Sequence, residues 1–183
     1  MLLAGALASG CATGETDPSG APPEVDEVTA RYERRFMEGM IQRHRAAVEM
    51  STTCADRAAH QELRAFCRVM GGTQQREIDD MTGWLQEWYQ AAPLEEASMS
   101  DDQRRSMNEL GALLGAAFDA EFMDDMILHH TLAIADATTC ANLAIHEPLI
   151  ELCDNIIDTQ LAEIDQMQSW QREWFAAERP EPP

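Results

Sequence analysis

The sequence is written twice. Shifted by 86 residues, positions 36–89 fall on 122–175 without a gap, and 23 of the 54 pairs are identical. "FMEGMIQRH" at Phe36 returns as "FMDDMILHH" at Phe122. The matches run on through Cys54/Cys140, His60/His146, Cys67/Cys153, Gln74/Gln160, Glu77/Glu163, Met81/Met167, Trp84/Trp170 and Trp88/Trp174. Identity spread over the whole stretch marks an internal duplication, which sets the architecture. "LEEASMSDDQ" bridges the halves.

Each half reads as a helical hairpin. Residues 28–57 place apolar side chains at helical spacing with no Gly-Pro break. Residues 104–143 have the same character, with a break expected near Gly111 or Gly115. Pro148 suits a first helical turn, which puts one hairpin turn near His146 and, by the repeat, the other near His60. The returning helices are expected at about 61–90 and 147–176, with short helical turns ahead of each long first helix. Strand signals are absent. The predicted fold is all-α: a four-helix bundle of two tandem hairpins, repeat 1 at about 28–90 and repeat 2 at about 104–176, in one domain over 28–177.

The flanks read differently. "MLLAGALASGCATG" is a short apolar run ending in small residues before Cys11. It resembles a bacterial lipoprotein signal, although a basic start is lacking and Ala8 stands where Leu is usual. The expectation over 1–11 is therefore export, with acylation of Cys11 as the membrane tether; an ordinary cleaved leader is the other reading. Residues 12–27, rich in Gly, Pro, Ser and acid, read as a flexible linker, and 178–183 as an unstructured tail. The chain carries 33 acidic residues against 13 basic ones, all Arg, for a net charge of −20. Such a surface repels phosphate backbones, so nucleic acid is not an expected partner.

Cys54 and Cys67 flank the first proposed turn, and Cys140 and Cys153 the second, at the same separation. Export makes disulfides Cys54–Cys67 and Cys140–Cys153 the expected pairing. Reduced thiols or soft metal ligands are the competing readings.

A second pattern carries chemistry. At 100° per residue Met37, Met40 and His44 share one side of a helix, and Met123, Met126 and His130 repeat them. Thioether sulfur suits Cu(I), and imidazole serves both copper oxidation states. Methionine stripes also fill cores without any ligand. The returning helix has the apolar stripe Met70, Gln74, Ile78, Met81, Leu85 and Trp88. Gln74 lies within it and Glu77 at its border, and Gln160 and Glu163 repeat both. Buried polar groups cost about 1–3 kcal/mol unless paired. These four are expected to orient His44 and His130 from behind, with carboxylate ligation or metal-free hydrogen bonding as the alternatives. The tryptophans are expected to pack at the bundle ends, and His60 and His146 to cap the turns.

"FDAE", "FMDDMILHHTLAIADA" and "QLAEIDQMQSWQREW" together resemble the DUF305 family of exported bacterial proteins, over about 30–90 and 115–176. The resemblance implies a ferritin-like four-helix bundle and, for some members, copper binding through Met and His. Position by position it points to Met123, Met126, His129, His130 and Met167, and in the first repeat to Met37, Met40, His44 and Met81. Arg43 departs from the pattern where the first His of the pair belongs, and a guanidinium stays protonated and cannot ligate. Two equal sites are thus in doubt.

The expected function is an exported protein that sequesters or carries metal, with copper as its ion. A metal-free structural or partner-binding envelope lipoprotein is the alternative. A di-iron oxidase is weaker, because it needs Glu-x-x-His spacing and Asp124 and Asp125 do not supply it. No nucleophile elbow, phosphate loop, dinucleotide fingerprint or zinc-protease motif is present, so no enzyme activity is expected.

Overall fold

The structure, a computed structural model, describes residues 25–92 and 108–175. The leader-like start with Cys11, nearly all of the expected linker, the bridge and the expected tail lie outside the described residues. Four long helices form the molecule: α1 (Glu27–Arg57), α2 (Gln61–Tyr89), α3 (Ala116–Leu143) and α4 (Glu147–Phe175). No strand occurs among the described residues. The fold is the all-α bundle of two duplicated hairpins.

Local chemistry sets the helix ends. Asp26 caps α1 by accepting from Val28 N at 2.9 Å and Thr29 N at 3.1 Å, satisfying donors that the first turn leaves free. The helix thus enters the segment expected to be linker by one residue. The break expected near Gly111 or Gly115 is present. A short helical segment at 108–112 is followed by a break, and α3 begins only after Gly115. Gly115 has φ +62°, a conformation that a side chain disfavours, so the chain turns there. The break is anchored, since Arg57 Nη2 donates to Leu113 O at 2.9 Å and the guanidinium lies over the Phe118 ring.

Each hairpin is stapled near its turn. Cys54–Cys67 and Cys140–Cys153 are disulfides with Cα atoms 6.1 and 6.2 Å apart, as expected from their spacing. Between hairpins α1 approaches α3. Two apolar clusters result, and each draws on both repeats. One joins Met37, Met40, Ile41 and Met81 to Ala133, Ala137 and Leu149. The other joins Met123, Met126, Phe122 and Met167 to Ala47, Leu63 and Met70. The small residues of one repeat make room for the methionines of the other.

The turns are locked reciprocally. Glu33 on α1 accepts from Ile145 N (2.7 Å), His146 N (3.2 Å) and His146 Nδ1 (2.6 Å) in the opposite turn. Asp119 on α3 accepts from Ala59 N (2.8 Å), His60 N (2.9 Å) and His60 Nδ1 (2.6 Å). Adding 86 to Glu33 and His60 gives Asp119 and His146, so the contacts exchange under a pseudo-two-fold, as in an isologous dimer. Trp88 stacks on His146 at 4.0 Å between centroids, and Trp174 on His60 at 3.8 Å. The tryptophans pack at the bundle ends as expected. The histidines behave otherwise: His60 occupies the N-cap position of α2, but its ring makes no cap bond. The capping oxygens come from the other repeat, because a carboxylate reaches both turn amides and the imidazole together.

Candidate metal centre

The helical stripes place every methionine of the expected donor set inside. Met37, Met81, Met123, Met126 and Met167 are fully buried, and Met40 is 2% exposed. They do not share one chamber. Met37, Met40 and Met81 belong to one apolar cluster, Met123, Met126 and Met167 to the other. Each set combines two residues one turn apart on the first helix of a hairpin with one on the returning helix.

Buried imidazoles accompany the two sets. His130 and His44 have no exposed surface. His130 Nε2 donates to Glu163 Oε2 at 2.8 Å. His44 Nε2 lies 2.7 Å from Glu77 Oε2, an ion-pair contact whose angle falls outside a hydrogen bond. His129 Nε2 donates to the Arg43 carbonyl at 3.1 Å, a bond that spans one repeat length across the pseudo-two-fold. Carboxylates and carbonyls only accept, so His129 and His130 each carry a proton on Nε2. All three Nδ1 atoms are buried and without a hydrogen-bond partner. Burial, reinforced by the neighbouring His130, pushes the His129 pKa down to about 3. The ring is therefore neutral at physiological pH, the form that ligates.

The residues expected to orient the histidines divide. Glu163 bonds His130, and Glu77 lies 2.7 Å from His44 Nε2 without a hydrogen bond. Gln74 and Gln160, one turn earlier on their helices, make no such contact: both amides are buried and neither the oxygen nor the nitrogen has a hydrogen-bond partner among the described residues. Among the described residues no group of three or more His, Cys, Asp or Glu is placed to hold a metal ion. A carboxylate-rich di-iron ligand set is thus not found among the described residues. Asp124, considered for such a centre, instead accepts from Gln171 Nε2 at 2.8 Å.

Sequence reasoning missed Glu33 and Asp119. Extending the repeat three residues upstream would have paired two acidic positions just before the conserved Phe. It also missed the Arg43–Asp136 ion pair at 2.8 Å, which nothing in the repeat announces.

This arrangement of duplicated Met-Met-His helices has a known counterpart. Residues 33–171 match the family described as Domain of unknown function (DUF305). The chain belongs to the DUF305 family. Among solved structures it is similar to CopM in the Cu(I)-bound form, with 31% identity, TM-score 0.69, and coverage of 78% of this chain and 97% of that one. CopM in the Cu(II)-bound form is 29% identical, with TM-score 0.72 over the same shares. A DUF305 protein from Streptomyces coelicolor inferred to be secreted is 25% identical, with TM-score 0.69, and 78% of this chain and 93% of that one are covered. CopM has also been solved in silver-bound and apo forms. No curated protein matches the chain.

Proposed function

We propose that this DUF305 protein is exported and binds copper, sequestering or carrying it through interior Met and His donors. Met37, Met40 and Met81 with His44 would serve one half, and Met123, Met126 and Met167 with His129 and His130 the other. The reading rests on the three buried Nδ1 atoms that have no protein partner. An unpaired buried polar atom costs about 1–3 kcal/mol, and three of them on the helices that carry the methionine stripes favour a ligand. Thioether and neutral imidazole are soft or borderline donors, which suit Cu(I). The similarity to CopM, solved with copper and with silver, supports the same donor chemistry.

The chain's own groups do three things in this scheme. Glu163 would hold the His130 imidazole by Nε2 and leave Nδ1 facing the ion, while Glu77 sits against His44 Nε2. Their negative charge offsets that of a bound cation. The apolar clusters exclude water from the thioethers. Copper when bound contributes only its affinity for these donors, and no catalytic step is proposed. Export is supported by the leader-like start, by two disulfides of the kind that persist in oxidising compartments, and by the resemblance to the Streptomyces protein. No helix among the described residues is long and apolar enough to cross a membrane; attachment would be through Cys11.

One observation favours a metal-free structural bundle instead: the methionines are buried as completely as ordinary core residues. Titration of the mature protein with Cu(I) and Cu(II), alone and as His130→Ala and Met126→Ala, separates the two. Uptake by the parent that weakens at least tenfold in both variants supports the binding reading. No uptake by the parent leaves the structural one.

A further inference from the structure

A surface groove of about 260 Å³ reaches one of the proposed donors. Its lining includes Tyr32, Phe36, Gly39, Met40, Arg43 and Asp136. Met40 is otherwise almost wholly enclosed, so this is a place where solvent space meets the methionine core of the first repeat. Gly39 forms part of the opening: a Cβ built there would meet nothing within 4 Å.

The repeat makes the groove more telling. At the equivalent positions of the second repeat Gly39 becomes Asp125, Arg43 becomes His129 and Asp136 becomes Met50. The open position, the guanidinium and its carboxylate all belong to one end of the bundle. Arg43 Nη2 meets Asp136 Oδ2 at 2.8 Å, linking α1 to α3 beside Met40, with side chains 28% and 54% exposed. Arg43 Nε is buried and has no hydrogen-bond partner, so the guanidinium is held there incompletely. Arg35 also lines the groove. While Arg43 holds Asp136 Oδ2, a guanidinium neutralises the groove's carboxylate; release of Arg43 toward solvent frees that carboxylate in a groove that Met40 also lines. Partly exposed ion pairs are worth only about 0–1 kcal/mol, so such an exchange is inexpensive.

We propose that this groove is the port through which a soft monovalent metal ion enters the Met37–Met40–Met81 core, with the Arg43–Asp136 pair as its latch. The proposal rests on the copper-binding reading. The test is stopped-flow loading of the full mature chain with silver nitrate, read by the fluorescence of Trp84 and Trp88, which pack against that core. Final silver content is measured by native mass spectrometry. Gly39→Leu fills open space on a helix and should slow loading at least tenfold while reaching the parent's silver content. Gly39→Ala should slow it less. Gly83→Leu, at another helical glycine with nothing within 4 Å, should load at the parent's rate. Arg43→Gln should load a few-fold faster. Parent-like rates in both Gly39→Leu and Arg43→Gln overturn the port and leave the binding reading intact. A parent that takes up no silver overturns both.

Discussion

Glu33→Ala tests the reciprocal lock more severely than any other single change. The Glu33 side chain is fully buried and takes hydrogen bonds from Ile145 N, His146 N, His146 Nδ1 and the Tyr89 hydroxyl. Truncation leaves two amides, an imidazole and a phenol without their acceptor. Breaking a buried, hydrogen-bonded charge pair on one side costs about 3–5 kcal/mol. For a chain of this size that lowers Tm by on the order of 10 °C. Urea unfolding followed by circular dichroism at pH 7 measures it. Acid supplies a second readout. Burial alone would raise the Glu33 pKa, but the bonds from Tyr89, Ile145 and His146 outweigh it and hold the carboxyl below its ordinary 4.5. The folded state therefore binds this proton less readily than the unfolded state does. The stabilisation is complete above the ordinary carboxylate range and drains away as pH falls through the folded pKa. Glu33→Ala should lose that share of the parent's acid sensitivity. Asp119→Ala should cost less, because Phe175 stands where Tyr89 supplies its hydroxyl and the His60 side chain is 33% exposed. A loss under about 1 kcal/mol for Glu33→Ala, with the acid limb unaltered, would refute the argument that these bonds hold the turns.

Three further outcomes concern the helix contacts and the staples. Gly71→Ala should destabilise by about 1–3 kcal/mol, since the new Cβ would sit 3.0 Å from Ser51 Cβ where α1 and α2 approach closely. Gly83→Ala, in open space, should instead gain about 0.5–1 kcal/mol in the same urea titration. Replacing Cys54 and Cys67 together by Ser frees a loop with a sequence separation of 13 and should cost about 2–4 kcal/mol, read as a lower urea midpoint.

The fold was legible because the duplication carried it: Pro148 located one turn, and the offset of 86 located the other. The cysteines were legible for the same reason, as spacing about a turn translates directly into Cα distance. The donor residues could be named, since helical spacing decides which side chains face inward. Their partition into two clusters could not, because that depends on how the hairpins cross. Nor could the partners of Gln74 and Glu77 be told apart, as one turn along a helix decides which reaches the imidazole. The Arg43–Asp136 pair, 93 residues apart, leaves no local signature at all.

The exchange of Glu33 and Asp119 between the turns bears on ancestry. A lone hairpin built like residues 116–175 would carry an unmatched acid at one end and an unmatched imidazole at the other. Two copies related by a two-fold axis would satisfy both at once. The present chain thus has the form of a fused homodimer, and its separated halves, produced as independent polypeptides, would be expected to find each other again.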